Sequence, residues 1–171
     1  MTSTTEHVAE TFDFGWGVVP AHRHVNPDGS LGGWVANTAK VDASAQVSDT
    51  AQVSGSAQVF GEAWVSGKAR VFGKAWVFGE AQVSGKAWVS GEAQVLQVGP
   101  VGSRNAMLTI YPEKDGRLAC TTGCFENHTL AELLAACAET HGADSPHTRD
   151  YKMLATAAFA VLDARLKETP R

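Results

Sequence analysis

Valine recurs at every sixth residue from Val35 to Val95, through Val41, Val47, Val53, Val59, Val65, Val71, Val77, Val83 and Val89, without a slip. Alanine keeps the same step two places earlier, from Ala39 to Ala93, and glycine two places later, from Gly55 to Gly91. The unit is Ala-x-Val-x-Gly-x. A helix turns about every 3.6 residues, so a step of six scatters the valines around its sides. Six residues do accommodate a short strand with inward side chains and a corner. Valine fills the interior, alanine fits a tight corner, and glycine allows positive φ at the bend. One such rung cannot bury its own apolar side, so rungs must stack.

The repeat resembles that of the hexapeptide-repeat proteins over residues 33–98. The resemblance implies a left-handed parallel β-helix in which three hexads make one triangular coil. It also implies assembly as a trimer. The fold expected is mainly β, a solenoid of under four coils with a C-terminal α+β cap. Residues 1–32 form an arm over one end, 33–98 the solenoid, and 99–171 the cap.

With three hexads per coil, residues eighteen apart share a face. One face presents Trp34, Gln52, Arg70 and Trp88, a second Gln46, Trp64 and Gln82, a third Lys40, Gln58, Trp76 and Gln94. The position after valine should also face outward: Phe60, Phe78 and Leu96 on the third face, Ser48, Ser66 and Ser84 on the second. Glu62 and Glu80 accompany the aromatic set, Lys68 and Lys86 the serines. An exposed apolar cluster marks an interaction surface, and a cyclic trimer needs two complementary patches per subunit. The expected self-interface therefore joins Phe60, Glu62, Trp76, Phe78, Glu80 and Leu96 of one chain to Lys68 and Lys86 of the next. The competing expectation is that the cap or arm covers these aromatics within one chain. Trp88 over Arg70 makes a cation–π ladder or a platform for a flat ligand.

At the N-terminal end, Phe12, Phe14, Trp16, Val18 and Val19 are expected under the open end of the solenoid, where strand edges need cover. His22-Arg23-His24 supplies two histidines, half of a metal site or plain surface residues. Beyond Val98, Gly99-Pro100 stops the period. Met107–Tyr111 and Arg117–Thr121 read as a hairpin around Lys114-Asp115-Gly116. Thr129 and Glu132 form a capping box for a helix facing inward with Leu130, Leu133, Leu134 and Cys137, closed by Gly142. Ser145-Pro146 opens a second helix with Tyr151, Leu154, Ala158, Val161 and Leu162 inward. The tail resembles that of a set of phage and prophage proteins with similar repeats. The matching residues are Gly102-Ser103-Arg104, Leu108-Thr109, Gly123-Cys124-Phe125, Thr129-Leu130, His141-Gly142 and Tyr151, with Pro20–His24 and Gly32–Val35 near the start. Glu126-Asn127-His128 departs from the glycine usual there. That resemblance implies a phage-type accessory protein and carries no activity.

Acyltransferases with this repeat use a coil or loop histidine as general base, and carbonic anhydrases on the scaffold need three histidines. Residues 33–98 contain none, so neither chemistry is expected, nor any cofactor. In the cap, Cys120, Cys124 and His128 are the weak candidates for a metal, with packed thiols as the alternative. Cys124 with His141 is a candidate nucleophile–base pair. Ser103-Arg104 is a candidate anion contact.

The chain carries 14 basic and 18 acidic residues, a net charge of −4, which disfavours general nucleic-acid binding. No apolar run or leader points to a membrane or to export. Three cysteines make no disulfide framework, so a reducing cytoplasm is expected, and the resemblance to phage proteins implies that of a host cell. The leading expectation is a non-catalytic oligomeric binder of a host protein, such as one of a defence system. Its candidate binding residues are Trp64, Arg70, Trp76, Trp88, Ser103 and Arg104. The alternatives are sequestration of a small signalling nucleotide at subunit clefts, and acyl transfer by cap residues.

Overall fold

The structure is a computed structural model that describes residues 10–91 and 94–168. Ala93 of the repeat lies outside the described residues, as do residues 1–9 and 169–171. Two N-terminal strands, β1 (Thr11–Asp13) and β2 (Val18–Val25), pair antiparallel, and β2 pairs antiparallel with β3 (Leu31–Ala36). A two-residue strand then follows at every sixth position. These are β4 (Lys40–Val41), β5 (Gln46–Val47), β6 (Gln52–Val53), β7 (Gln58–Val59), β8 (Trp64–Val65), β9 (Arg70–Val71), β10 (Trp76–Val77), β11 (Gln82–Val83) and β12 (Trp88–Val89).

Every third strand pairs in parallel. The sides of the resulting solenoid are β3-β6-β9-β12, β4-β7-β10 and β5-β8-β11. The register sets Trp34 beside Gln52, Gln52 beside Arg70, and Arg70 beside Trp88. The three faces expected from the six-residue step are therefore present, in about three turns. The valines and alanines from Ala45 to Val89 are buried and form one continuous core. Each coil stacks on the next through backbone bonds such as Gln58 N–H to Ala75 O at 2.9 Å. Some corners lie so close that glycine is favoured. At Gly55, with φ +65°, a Cβ would lie 2.8 Å from the backbone nitrogen of Gly73.

The lower end is closed by the β2–β3 hairpin. The lowest rung of any solenoid has backbone groups with no neighbouring strand, and these must find partners. Here Asn26 Oδ1 accepts from Val47 N–H at 2.9 Å, and His24 Nε2–H donates to Ala45 O at 2.9 Å. Gly33 lies flat on the rung, where a Cβ would meet Ala51 O at 2.2 Å.

This corrects the reading of the arm. Aromatic rings cannot satisfy amide groups, so they do not cover the open end. Phe12 stacks on Trp34 at 4.8 Å, Phe14 is buried against Ala21 and Ala36, and Trp16 packs on Phe72, all along the outer side of the first sheet. Val18 is 66% exposed. The paired histidines are also structural. His24 is buried on the rung, while His22 Nδ1 bonds Asn37 Oδ1 at 2.8 Å, so the two bind different groups.

The upper end carries a four-stranded antiparallel sheet and two helices. The strands are β13 (Leu96–Val101), β14 (Ala106–Pro112), β15 (Leu118–Thr122) and β16 (Phe125–His128), in that order across the sheet. The helices are α1 (Leu130–His141) and α2 (Pro146–Glu168). Sequence reading expected only the β14–β15 hairpin. β13 hides in the end of the repeat and contains a Gly-Pro pair, and β16 has no apolar alternation. Thr129 and Glu132 make the reciprocal capping box, and Ser145 Oγ accepts from Thr148 N–H. Asn127 takes φ +61° at the position that departs from glycine, a conformation asparagine tolerates better than most residues.

Two outward assignments change because the cap sits on the solenoid, and within the cap one inward assignment, Val161, is reversed. Ser84 is buried, where its hydroxyl meets Tyr111 Oη and Thr121 Oγ1, each at 2.9 Å. Leu96 packs into the cap core with Leu108, Leu133 and Leu162 rather than lying on a free face. In α2, Ala155 and Phe159 join Tyr151, Ala158 and Leu162 in the core, while Val161 is exposed.

Candidate functional site

Two features stand out from the scaffold: an aromatic stripe on the solenoid and a cavity in the cap. The stripe follows directly from the parallel stacking. Trp64 in β8, Trp76 in β10 and Phe78 just after β10 occupy outward positions on neighbouring sides. They are 42%, 44% and 51% exposed, so neither the described part of the cap nor that of the arm covers them. Phe60, one coil below Phe78, is half-buried, and Glu62 and Glu80 are exposed on the same corner. Lys68 and Lys86 are exposed at the next corner. Leu96 is the one member of the expected interface set withdrawn into the cap.

Arg70 and Trp88 do not form an open platform. The Arg70 guanidinium lies between two rings, 4.8 Å from Trp16 and 4.9 Å from Trp88. Lys114 Nζ approaches the Trp88 ring at 5.2 Å. Burial pulls the Arg70 pKa below its ordinary value, and nearby Asp13 opposes this. The role of Trp16 was not legible in sequence, because nothing local says that the arm folds back over β9.

The cap cavity has a volume of about 170 Å³. It lies where the β13–β14 and β15–β16 turns face α1 and α2. Ser103 and Arg104 come from the first turn, Thr122 to Phe125 from the second, and Leu133, Cys137 and His141 from α1. Tyr151 of α2 completes the wall. Arg104 Nη1–H donates to Cys124 Sγ at 3.2 Å. Tyr151 Oη lies 3.4 Å from Thr122 Oγ1, and burial pushes its phenol pKa up. Tyr151 is wedged against Gly102, where a Cβ would sit 2.5 Å from the ring. Sequence reading placed Ser103, Arg104, Cys124 and His141 in separate hypotheses, and the fold brings them around one space. It missed Tyr151 and Thr122 as lining residues, since their neighbourhood depends on the docking of α2.

The metal candidates do not converge. Cys120 is buried in the cap core, whereas Cys124 is exposed beside Arg104. Burial, with Cys137 and Glu132 nearby, pushes the Cys120 thiol up to about 12. His128 lies 3.9 Å from the Glu132 carboxylate. Among the described residues no group of three His, Cys, Asp or Glu side chains is placed to hold a metal ion. No helix among them is long and apolar enough to cross a membrane.

No protein-family model, curated protein or solved structure matches this chain.

Proposed function

We propose that this protein is a non-catalytic binding protein whose rigid solenoid presents Trp64, Trp76 and Phe78 to protein surfaces. The observation that carries this is the exposure of three large aromatic side chains on neighbouring sides of one prism. Aromatic residues dominate the energetics of protein interfaces. A stacked β-solenoid also holds them in place at little conformational cost.

One use of this surface is self-association. The Phe60/Phe78 corner with Glu62 and Glu80 is complementary in charge to the Lys68/Lys86 corner. A ring of three copies would pair these unlike corners and close on itself. The six-residue repeat supports a left-handed winding of the hexapeptide-repeat type. The tail's likeness to phage and prophage proteins makes a host-cell protein, including one of a defence system, the partner class to try first.

Two features weigh against the alternatives. Arg70 is engaged on both faces by tryptophans of its own chain, which disfavours its use as a phosphate clamp. Cys124 Sγ accepts from Arg104 and makes no hydrogen bond to His141 among the described residues, so the nucleophile–base pair that acyl transfer requires is not formed. The test is affinity capture from host lysate with wild type and with Trp64→Ala and Trp76→Ala. Loss of one specific partner in both variants, with unchanged circular dichroism, supports the reading. A partner retained in full by both variants overturns it.

A further inference from the structure

We propose that the cap cavity binds a small organic carboxylate, its head on Arg104 and its apolar body against Phe125, Leu133 and Ala136. The site is separate from the aromatic stripe and shares none of its residues.

Size sets the first limit. At about 170 Å³ the space is smaller than the ~300–1,000 Å³ that accommodates drug-sized ligands. The enclosed space therefore matches a compact acid.

Charge sets the second limit. Arg104 and His141 line the cavity, and among the described residues no Asp or Glu does. Arg104 is exposed and forms no ion pair with a carboxylate among the described residues. Its hydrogen bond goes to a sulfur, a weak acceptor. Its remaining N–H groups keep the planar fork that matches a carboxylate's two oxygens.

The rest of the wall is built to match. Ser103, Thr122 and Tyr151 place hydroxyls around the cavity, while Phe125, Leu133 and Ala136 give it apolar surface. Tyr151 is held by close contact with Gly102, so this part of the wall is formed in advance. Few convergent polar groups over an apolar floor are the usual anatomy of a small-molecule site.

Cys124 supplies the readout. It is exposed, whereas Cys120 and Cys137 are buried. Iodoacetate is itself a small carboxylate, and iodoacetamide is its neutral counterpart. In both cases the thiolate displaces iodide, so the ratio of their rates cancels any change in the sulfur's reactivity. Alkylation of Cys124 in the full chain is followed by peptide mass mapping.

The proposal expects iodoacetate labelling to saturate with concentration and to exceed iodoacetamide by about tenfold, the effect of one charge-assisted contact. Butanoate should slow it and butanamide should not. Arg104→Gln should abolish the preference, and Arg104→Lys, which keeps the charge, should retain part of it. Labelling that is linear in concentration and no faster with iodoacetate overturns the proposal. A full preference surviving in Arg104→Gln overturns it as well.

Discussion

Replacing Tyr111 by Phe removes one oxygen from the junction of cap and solenoid. Tyr111 Oη, Ser84 Oγ and Thr121 Oγ1 form a closed ring of three hydroxyls, with separations of 2.8–2.9 Å. Three hydroxyls in a ring can each donate once and accept once. Phenylalanine keeps the ring packing of a residue with no exposed surface, so no large cavity opens. It leaves one hydrogen bond of three and one buried hydroxyl without an acceptor. Two bonds at about 1 kcal/mol each give a loss of about 2 kcal/mol. With a urea slope of about 2 kcal/mol/M, the midpoint should fall by about 1 M.

Two probes separate the halves of the molecule. All five tryptophans lie at or before Trp88, so their fluorescence reports the solenoid and arm. Helical circular dichroism reports the cap, which holds α1 and α2. If the hydroxyl ring couples them, both midpoints shift together. Tyr151→Phe is the internal control: the hydrogen bond of its hydroxyl is 3.4 Å long, so its cost should be under about 0.5 kcal/mol. A Tyr111→Phe midpoint within about 0.3 M of wild type would refute the reasoning. So would a shift confined to the circular dichroism.

Asn26→Ala should leave Val47 N–H without its partner on the lowest rung and cost about 1–3 kcal/mol by chemical denaturation. Gly33→Ala would place a Cβ 2.2 Å from Ala51 O and 2.6 Å from Ser48 O. Neither backbone oxygen can yield cheaply, so the variant should lose several degrees of melting temperature or fail to accumulate. At high pH the Cys120 thiol keeps its proton in the folded chain up to about 12, against an ordinary value of 9.0. Its contribution is therefore fully present below pH 9 and is lost as pH rises toward 12. Cys120→Ala should flatten that part of the stability–pH curve, and an unchanged curve would refute the assignment.

The solenoid was legible because its signal is periodic and local. Valine, alanine and glycine at fixed steps specify inward side chains, corners and stacking, and the observed registers from Trp34 to Trp88 follow by counting eighteen. The ends were less legible because they depend on unmet backbone groups rather than on pattern. His24 and Asn26 look like surface residues until the lowest rung needs a donor and an acceptor. Ser84 looks like its half-buried counterpart Ser66 until Tyr111 descends on it. The cap's capping box and C′ glycine were readable as local motifs. β13 was not, because its first residues continue the repeat. The cavity is a tertiary product: Arg104, Cys124, His141 and Tyr151 are separated by tens of residues and meet only when α1 and α2 pack on the sheet. The stripe of Trp76 and Phe78 was readable as outward-facing, and the structure leaves it exposed among the described residues.

The most direct measurement is a native mass spectrum of the purified protein at micromolar concentration, beside that of Phe78→Asp. If the aromatic corner is an interface between copies, wild type should appear as a trimer and Phe78→Asp as a folded monomer. A wild type that is monomeric throughout that range would contradict self-association through this surface. A trimer untouched by Phe78→Asp would place the interface elsewhere on the prism.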